Sequence, residues 1–468
     1  MKLFLTPLLL SAALTCGATR IPERIQVSDN HHYLVDEKGQ PFFYLADTAW
    51  ELFHRLNRDE AERYLQDRAE KGFTAIQAVA VAELDGISTP NAYGHLPFVN
   101  EDPNQPAVKD GEQNDYWDHV DYIVRTANEK GLYIAMLPTW GRYWHDGDHT
   151  PFTPEKARAY GKWLASRYRE AKIIWVLGGD RNPEGDYHRE IMRQMAHGLM
   201  EGDGHTHLIT YHPTGWCGSA QFYHQEDWLD FNMRQNGHEV RVESYKKTRE
   251  DWDRCNPVKP VLDGEPLYED HPVAFDAGRQ GHSVSADCRR ALYWDLFNGA
   301  CGHTYGHHSV WQMWNPEKSP YPINNPLLPW YEAIQQPGSA QMQWGKKLVL
   351  SRPYLSRIPA TEKVLIESHI PSAWPGEGIY RFAATMDEEG TYMMIYAPVG
   401  RKFHVNTSLL AGNKLTGWWY NPRNGKAQKI GAVEKAEDVT FISPTPGEEL
   451  DWVLVIDDAS KKYKRPGL

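Results

Sequence analysis

Ile173-Ile174-Trp175-Val176-Leu177-Gly178-Gly179-Asp180 is the stretch on which the fold turns. Its apolar residues run on without alternating with polar ones, the mark of a strand covered on both faces, as in a parallel sheet. Two glycines end the run and a carboxylate follows. Helical patterns flank it, residues 154–168 before and 186–200 after, so the unit reads helix–strand–helix.

Working outward, the unit recurs in both directions. Strand-like runs lie at residues 42–47, 73–79 and 132–138 on one side, and at 207–212, 228–233, 259–265 and 300–306 on the other. Helical patterns at 116–130 and 285–298, and one beginning with Asp59 as its N-cap and ending near Lys71-Gly72, separate several of them. Eight such strands with intervening helices predict an α/β fold, a (β/α)₈ barrel. The alternative is an open doubly wound sheet, which usually carries a glycine-rich turn after its first strand. Here that turn reads Asp47-Thr48-Ala49-Trp50.

From about Trp344 the pattern changes to short alternating runs, such as 380–385, 391–397 and 452–456, broken by Gly, Pro and Asp. This predicts a small antiparallel β-sandwich. Residues 346–468 hold 17 Lys and Arg against 14 Asp and Glu, a balance of +3, whereas the whole chain stands at −12. The domain expectation is therefore a barrel over 19–343 and a sandwich over 344–468.

Residues 1–18 read as a secretory signal peptide: Lys2, a mostly apolar run over 3–14, then Cys16-Gly17-Ala18. Cleavage after Ala18 yields a soluble exported protein, periplasmic or extracellular. Cleavage before Cys16 leaves a lipid-modified cysteine, the one membrane tether the sequence offers. Beyond it, Cys217, Cys255, Cys288 and Cys301 form no C-x-x-C pair or zinc-like cluster, and they read as buried free thiols.

The acidic balance argues against nucleic acid as a partner. The aromatic content, 18 Trp, 25 Tyr and 14 Phe, suits a carbohydrate partner instead, because sugar C–H faces stack on rings while carboxylates bond hydroxyls. A barrel places its chemistry at the C-terminal ends of its strands. There, Asp180 follows Gly178-Gly179 on strand four and Glu265 follows Gly264 on strand seven. Strands four and seven face each other across a regular barrel mouth, which is the arrangement of two carboxylates that glycoside hydrolysis needs. Asp47, Trp50, Trp140, Asn182, His212 and Trp314 are the further substrate-binding candidates at the rim. Each has a structural reading beside it: a helix cap for Asp47, core packing for the tryptophans, a turn for Asn182 and a satisfied buried histidine for His212. His205-Thr206-His207 has a metal-like spacing but lies at the start of strand five, the wrong end, and His307-His308 lacks converging ligands. No metal or organic cofactor is expected. Gly281-His282-Ser283-Val284-Ser285 departs from a nucleophile elbow, lacking the last glycine and a preceding strand.

Tyr44-Leu45-Ala46-Asp47-Thr48-Ala49-Trp50, Trp175-Val176-Leu177-Gly178-Gly179-Asp180 and Asp263-Gly264-Glu265-Pro266 together resemble the apiosidase-like glycoside hydrolases, family 140, whose barrel looks like that of family 5. Gly417-Trp418-Trp419-Tyr420-Asn421-Pro422-Arg423-Asn424-Gly425 resembles the sandwich, once labelled a collagen-binding domain, that closes such chains. The resemblance implies Asp180 as acid/base, Glu265 as nucleophile, and hydrolysis of apiosyl linkages in rhamnogalacturonan II. The expectation is thus an exported, retaining, exo-acting glycosidase. Its rivals are a glycan-binding barrel without catalysis, an endo-acting family 5-like β-glycanase and an exported metallohydrolase. Trp418 and Trp419 offer a stacking platform on the sandwich, although strand alternation sends at least one of them into the core.

Overall fold

The computed structural model describes residues 24–147, 150–239, 243–319, 322–367 and 377–468. The expected signal segment, with Cys16, lies outside the described residues. After a hairpin of Ile25–Val27 and Leu34–Asp36 come β1 (Tyr44–Thr48), β2 (Ala75–Val79), β3 (Tyr133–Leu137), β4 (Ile173–Gly178), β5 (Ile209–His212), β6 (Asn232–Arg234), β7 (Val261–Asp263) and β8 (Gly302–Tyr305). Every residue in these eight strands is buried, which is why their sequences run on without alternation. The parallel ladder is ordered β8-β1-β2-β3-β4-β5, with β6 and β7 paired to each other. Single backbone hydrogen bonds cross both seams, from Asp230 N–H to the Ile209 carbonyl and from Cys301 N–H to that of Val261, each 2.9 Å. The result is a barrel-like parallel sheet jacketed by helices.

The main helices are α1 (Arg58–Glu70), α2 (Tyr116–Glu129), α3 (Pro154–Arg167), α4 (Asp186–Asp203), α5 (Ser244–Trp252), α6 (Ser285–Phe297) and α7 (Pro337–Leu350). α1 is capped by Asn57, not Asp59: the Asn57 side chain accepts from Glu60 N–H, and the Glu60 carboxylate accepts from Asn57 N–H, both 2.9 Å. That reciprocal pair satisfies two orphan donors, so the cap falls two residues earlier than expected. α3 and α4, which bracket β4, pack closely because a side chain at Gly198 would stand 2.2 Å from the Arg158 carbonyl.

The expected boundary at 343/344 falls inside α7. That helix packs on the barrel side, where Gly345 lies against Leu292 of α6 and Met342 and Leu348 belong to the barrel core, so the second domain begins after it. Its strands are β9 (Arg357–Pro359), β10 (Leu365–Glu367), β11 (Ala383–Asp387), β12 (Tyr392–Ala397), β13 (Gly400–Val405), β14 (Leu415–Asn421), β15 (Lys426–Val433), β16 (Val439–Gly447) and β17 (Trp452–Asp458). They form one antiparallel sheet ordered β9-β11-β12-β17-β14-β15 and another ordered β10-β13-β16. Trp419 lies in the core between these sheets, and Trp418 is partly buried toward the barrel core under Lys429. Neither offers an open platform. Among the cysteines, Cys288 and Cys301 are buried free thiols as expected, whereas Cys255 is exposed and Cys217 half-buried.

The two domains share one core. Tyr392, Met394, Tyr396, Tyr420, Val453 and Val455 belong to the same apolar cluster as the barrel strands. Tyr293 of α6 stacks on Tyr396, with centroids 4.7 Å apart. Beside them, the Arg289 Nε and Nη2 groups grip both oxygens of Asp451 at 3.0 and 2.9 Å, with both residues buried. A buried pair costs most when one partner is removed, because the other charge stays desolvated. Arg289→Met is therefore expected to lower the unfolding free energy in chemical denaturation by about 3–5 kcal/mol. Adding Asp451→Leu is expected to restore most of that loss.

Candidate active site

β4 does not end in a regular turn. Gly178, Gly179 and Asp180 take φ of 90°, 94° and 57°, three successive residues in a region that side chains disfavour. Space demands glycine as well: a side chain at Gly178 would meet the His212 carbonyl at 2.3 Å, and one at Gly179 would meet Trp140 at 3.0 Å. The turn is tied down by Gly179 N–H on the His212 carbonyl (3.1 Å) and Gly141 N–H on the Gly179 carbonyl (2.9 Å). Its effect is to swing Asp180 into a cavity of about 350 Å³ at the C-terminal ends of the strands. Glu265, two residues beyond β7, reaches the same cavity, walled by Trp50, Trp140 and Trp311.

His212 links the two carboxylates. Its Nδ1 accepts the Asp180 N–H at 3.2 Å, so Nε2 carries the ring proton. That Nε2 stands 3.0 Å from Glu265 Oε2, in a close but bent approach. His238 Nε2 lies 2.9 Å from Glu265 Oε1, and its ring is stacked on His271 with centroids 4.2 Å apart. Burial alone would raise the Glu265 pKa. The ring donors of His212 and His238 outweigh it and hold the carboxylate well below its usual range.

Asp180 moves the other way. Burial first, and then the neighbouring Glu265 charge, raise its pKa. Its partners are weak, with Thr214 Oγ1 and Arg181 Nη1 each 3.3 Å away. Arg181 itself is committed to Asp146 through two 2.8 Å bonds. One cavity thus holds a carboxylate stabilised as the anion and another stabilised as the acid, a division of labour suited to acid–base chemistry.

Of the sequence-derived candidates, Asp180, Glu265, Trp50 and Trp140 line this cavity, and His212 supports both carboxylates from behind. Three do not reach it. Asp47 is wholly buried outside the sheet, bonded to Arg68 Nε and the Tyr64 hydroxyl of α1, both at 2.5 Å. The pleat decides this: Tyr44 points inward to Gln77, whose amide donates to the Gly264 carbonyl, so odd-numbered residues of β1 point out. Asn182 holds a turn, accepting from Thr214 N–H at 3.1 Å. The Trp314 indole donates to the Ser319 carbonyl, while Trp311, one turn earlier, faces the cavity.

The sequence reading missed Glu83, Gln235 and His238, which also line the cavity. Glu83 carried a usable signal. The apolar run of β2 continues through Ala80-Val81-Ala82, and Glu83 is its first carboxylate, as Asp180 is for β4. His238 lies four residues past β6 in a loop without periodicity. Elsewhere, His207 is bonded to Asp203 and the Ala171 carbonyl, and the Ser283 hydroxyl donates to the Tyr268 carbonyl, so both serve the fold.

A family model described as "Apiosidase-like, catalytic domain" matches residues 28–356. A second, described as "Putative collagen-binding domain of a collagenase", matches residues 368–457. A solved structure described as "Glycoside hydrolase" is 34% identical, with 95% of this chain and 99% of that one covered and a TM-score of 0.85. A glycoside hydrolase family 5 structure from Bacteroides vulgatus ATCC 8482 is 31% identical, covering 96% and 97%, with a TM-score of 0.84. No curated protein sequence matches.

The histidine pair gives a direct test. A carboxylate with a depressed pKa stays ionised until the pH falls through that value, so losing a donor must move the titration upward. His238→Ala is expected to raise the Glu265 pKa by roughly one unit. The check is ¹³C NMR titration of the glutamate side-chain carboxyls in wild type and variant.

Proposed function

The chain belongs to the apiosidase-like glycoside hydrolases, and from that premise we propose that it removes a terminal apiose-like sugar from a plant pectic glycan after export, by a retaining two-carboxylate mechanism. In this reading the eight-strand ring is a closed (β/α)₈ barrel of family 5 type. Asp180 gives its proton to the glycosidic oxygen as the bond breaks, while Glu265 attacks the anomeric carbon. Water then displaces Glu265, giving one of its protons to Asp180. The observation that carries the reading is that both carboxyls line one cavity, Glu265 on the close His238 donor and Asp180 with partners only at 3.3 Å, surroundings that favour the anion at the first and the acid at the second.

Trp50 and Trp140, with centroids 5.3 Å apart, supply aromatic walls for a sugar ring. The cavity, about 350 Å³, sits at the small end of ligand sites, roughly 300–1,000 Å³, which favours a terminal sugar over a long run of chain. The sandwich supports the barrel through their common core.

Sugar release from a rhamnogalacturonan II digest and from a panel of aryl glycosides tests this reading. Asp180→Asn and Glu265→Gln are each expected to lower kcat by on the order of 10³ with circular dichroism unchanged. ¹H NMR of the first-formed product is expected to show the substrate's own anomeric configuration. An inverted anomer would remove the retaining step. No release by wild type, with glycan binding intact in both variants, would replace the enzyme by a glycan-binding barrel.

A further inference from the structure

Around the cavity stand four carboxyl groups near enough to feel one another: Glu51, Glu83, Asp180 and Glu265. Three have partners. Glu51, wholly buried, binds His54 Nδ1 at 2.7 Å and accepts Leu84 N–H at 2.9 Å. Glu265 has its two histidines, and Asp180 has Thr214 and Arg181. Glu83 lines the cavity with Trp50 and Trp140, yet among the described residues its carboxyl makes no hydrogen bond and no ion pair. The side chain is half-buried on the cavity wall, so the bonds it does not make within the protein are open to a bound ligand.

The charged groups facing Glu83 explain the form it takes. The carboxyls of Asp180, Glu51 and Glu265 face it, and Arg181, the nearby cation, is already bonded to Asp146. Burial, and then these neighbouring carboxyls, push the Glu83 pKa well above the usual carboxylate range. A neutral carboxyl presents one O–H donor and one carbonyl acceptor side by side. A sugar hydroxyl needs the complement, an acceptor for its proton and a donor for its lone pair.

We propose that Glu83 is a substrate-recognition residue that exchanges a pair of hydrogen bonds with a hydroxyl of the sugar held between Trp50, Trp140 and the two carboxylates. The inference rests on the glycosidase reading above and adds to it the group that distinguishes one sugar from another. A recognition residue of this kind rejects a ring lacking that hydroxyl, because the ring then covers the carboxyl without matching it.

The experiment is steady-state sugar release from the rhamnogalacturonan II digest by wild type, Glu83→Ala, Glu83→Met and Glu83→Gln, with melting temperatures and pH profiles. Alanine and methionine both delete the hydrogen bonds, and methionine nearly keeps the volume, so whichever variant folds carries the test. Each is expected to lower kcat/KM by roughly tenfold or more, mainly through KM. Glutamine, which retains a donor and an acceptor, is expected to recover most of that loss. Two results would overturn the proposal while leaving the glycosidase standing. One is kcat and KM unchanged in alanine and methionine variants. The other is glutamine failing like alanine, with the basic limb of the pH profile moved down, which would make Glu83 a charge acting on Asp180. If wild type releases no sugar while Asp180→Asn and Glu265→Gln bind glycan as it does, both readings fall together.

Discussion

Negative charges crowded around one partly buried cavity cannot all persist together, and the remaining features of the site answer that constraint. Repulsion between carboxylates strengthens as water is excluded, so each group must find a donor or keep its proton. Glu51 and Glu265 have histidines. Asp180 and Glu83 are left to bear the repulsion, and the nearby cation Arg181 is drawn off by Asp146. The cavity therefore divides into an anionic side and a protonated side. That division is what a glycosidase needs from its two carboxyls.

Placing the groups requires unusual backbone. Of the three consecutive positive-φ residues at the end of β4, Gly178 and Gly179 adopt that backbone freely and Asp180 bears the cost, and the turn is stabilised through His212 and Gly141. The His212 carbonyl accepts the Gly179 N–H, its Nδ1 accepts the Asp180 N–H, and its other ring nitrogen faces Glu265. One side chain from β5 thus registers the acid and the anion against each other. Its ring is fixed in turn by packing on Trp50 and Trp140, with centroids 5.4 and 6.1 Å away. The aromatic walls and the charge pattern are parts of one rigid arrangement.

The second domain is packed on the barrel away from this arrangement. Its larger sheet is packed on α6, and the buried Arg289–Asp451 and Arg352–Asp457 pairs flank a shared apolar core. Bidentate geometry satisfies both carboxylate oxygens, which offsets part of the desolvation. α6 also holds Asp295, bonded to His303 of β8, so the sandwich is mechanically continuous with the barrel strands. Of its two adjacent tryptophans, Trp418 leans on that shared core and Trp419 fills the core between the sandwich sheets.

Much of this was legible in the sequence because it is local. Unbroken apolar runs marked the eight strands to within a few residues, the shift to alternation marked the sandwich, and a carboxylate after glycine marked the ends of β4 and β7. The motifs at residues 44–50, 175–180 and 263–266 carried the resemblance to the apiosidase-like glycoside hydrolases. Which rim side chain faces inward was decided only in three dimensions. The pleat turned Asp47 toward Arg68, the end of the short helix His308–Trp311 left Trp311 rather than Trp314 on the cavity, and loops distant in sequence brought Glu83 and His238 beside Asp180 and Glu265. The same is true of protonation. A carboxyl's sequence position says that it is present, whereas its charge depends on burial and on the groups around it, and those are supplied by residues far along the chain.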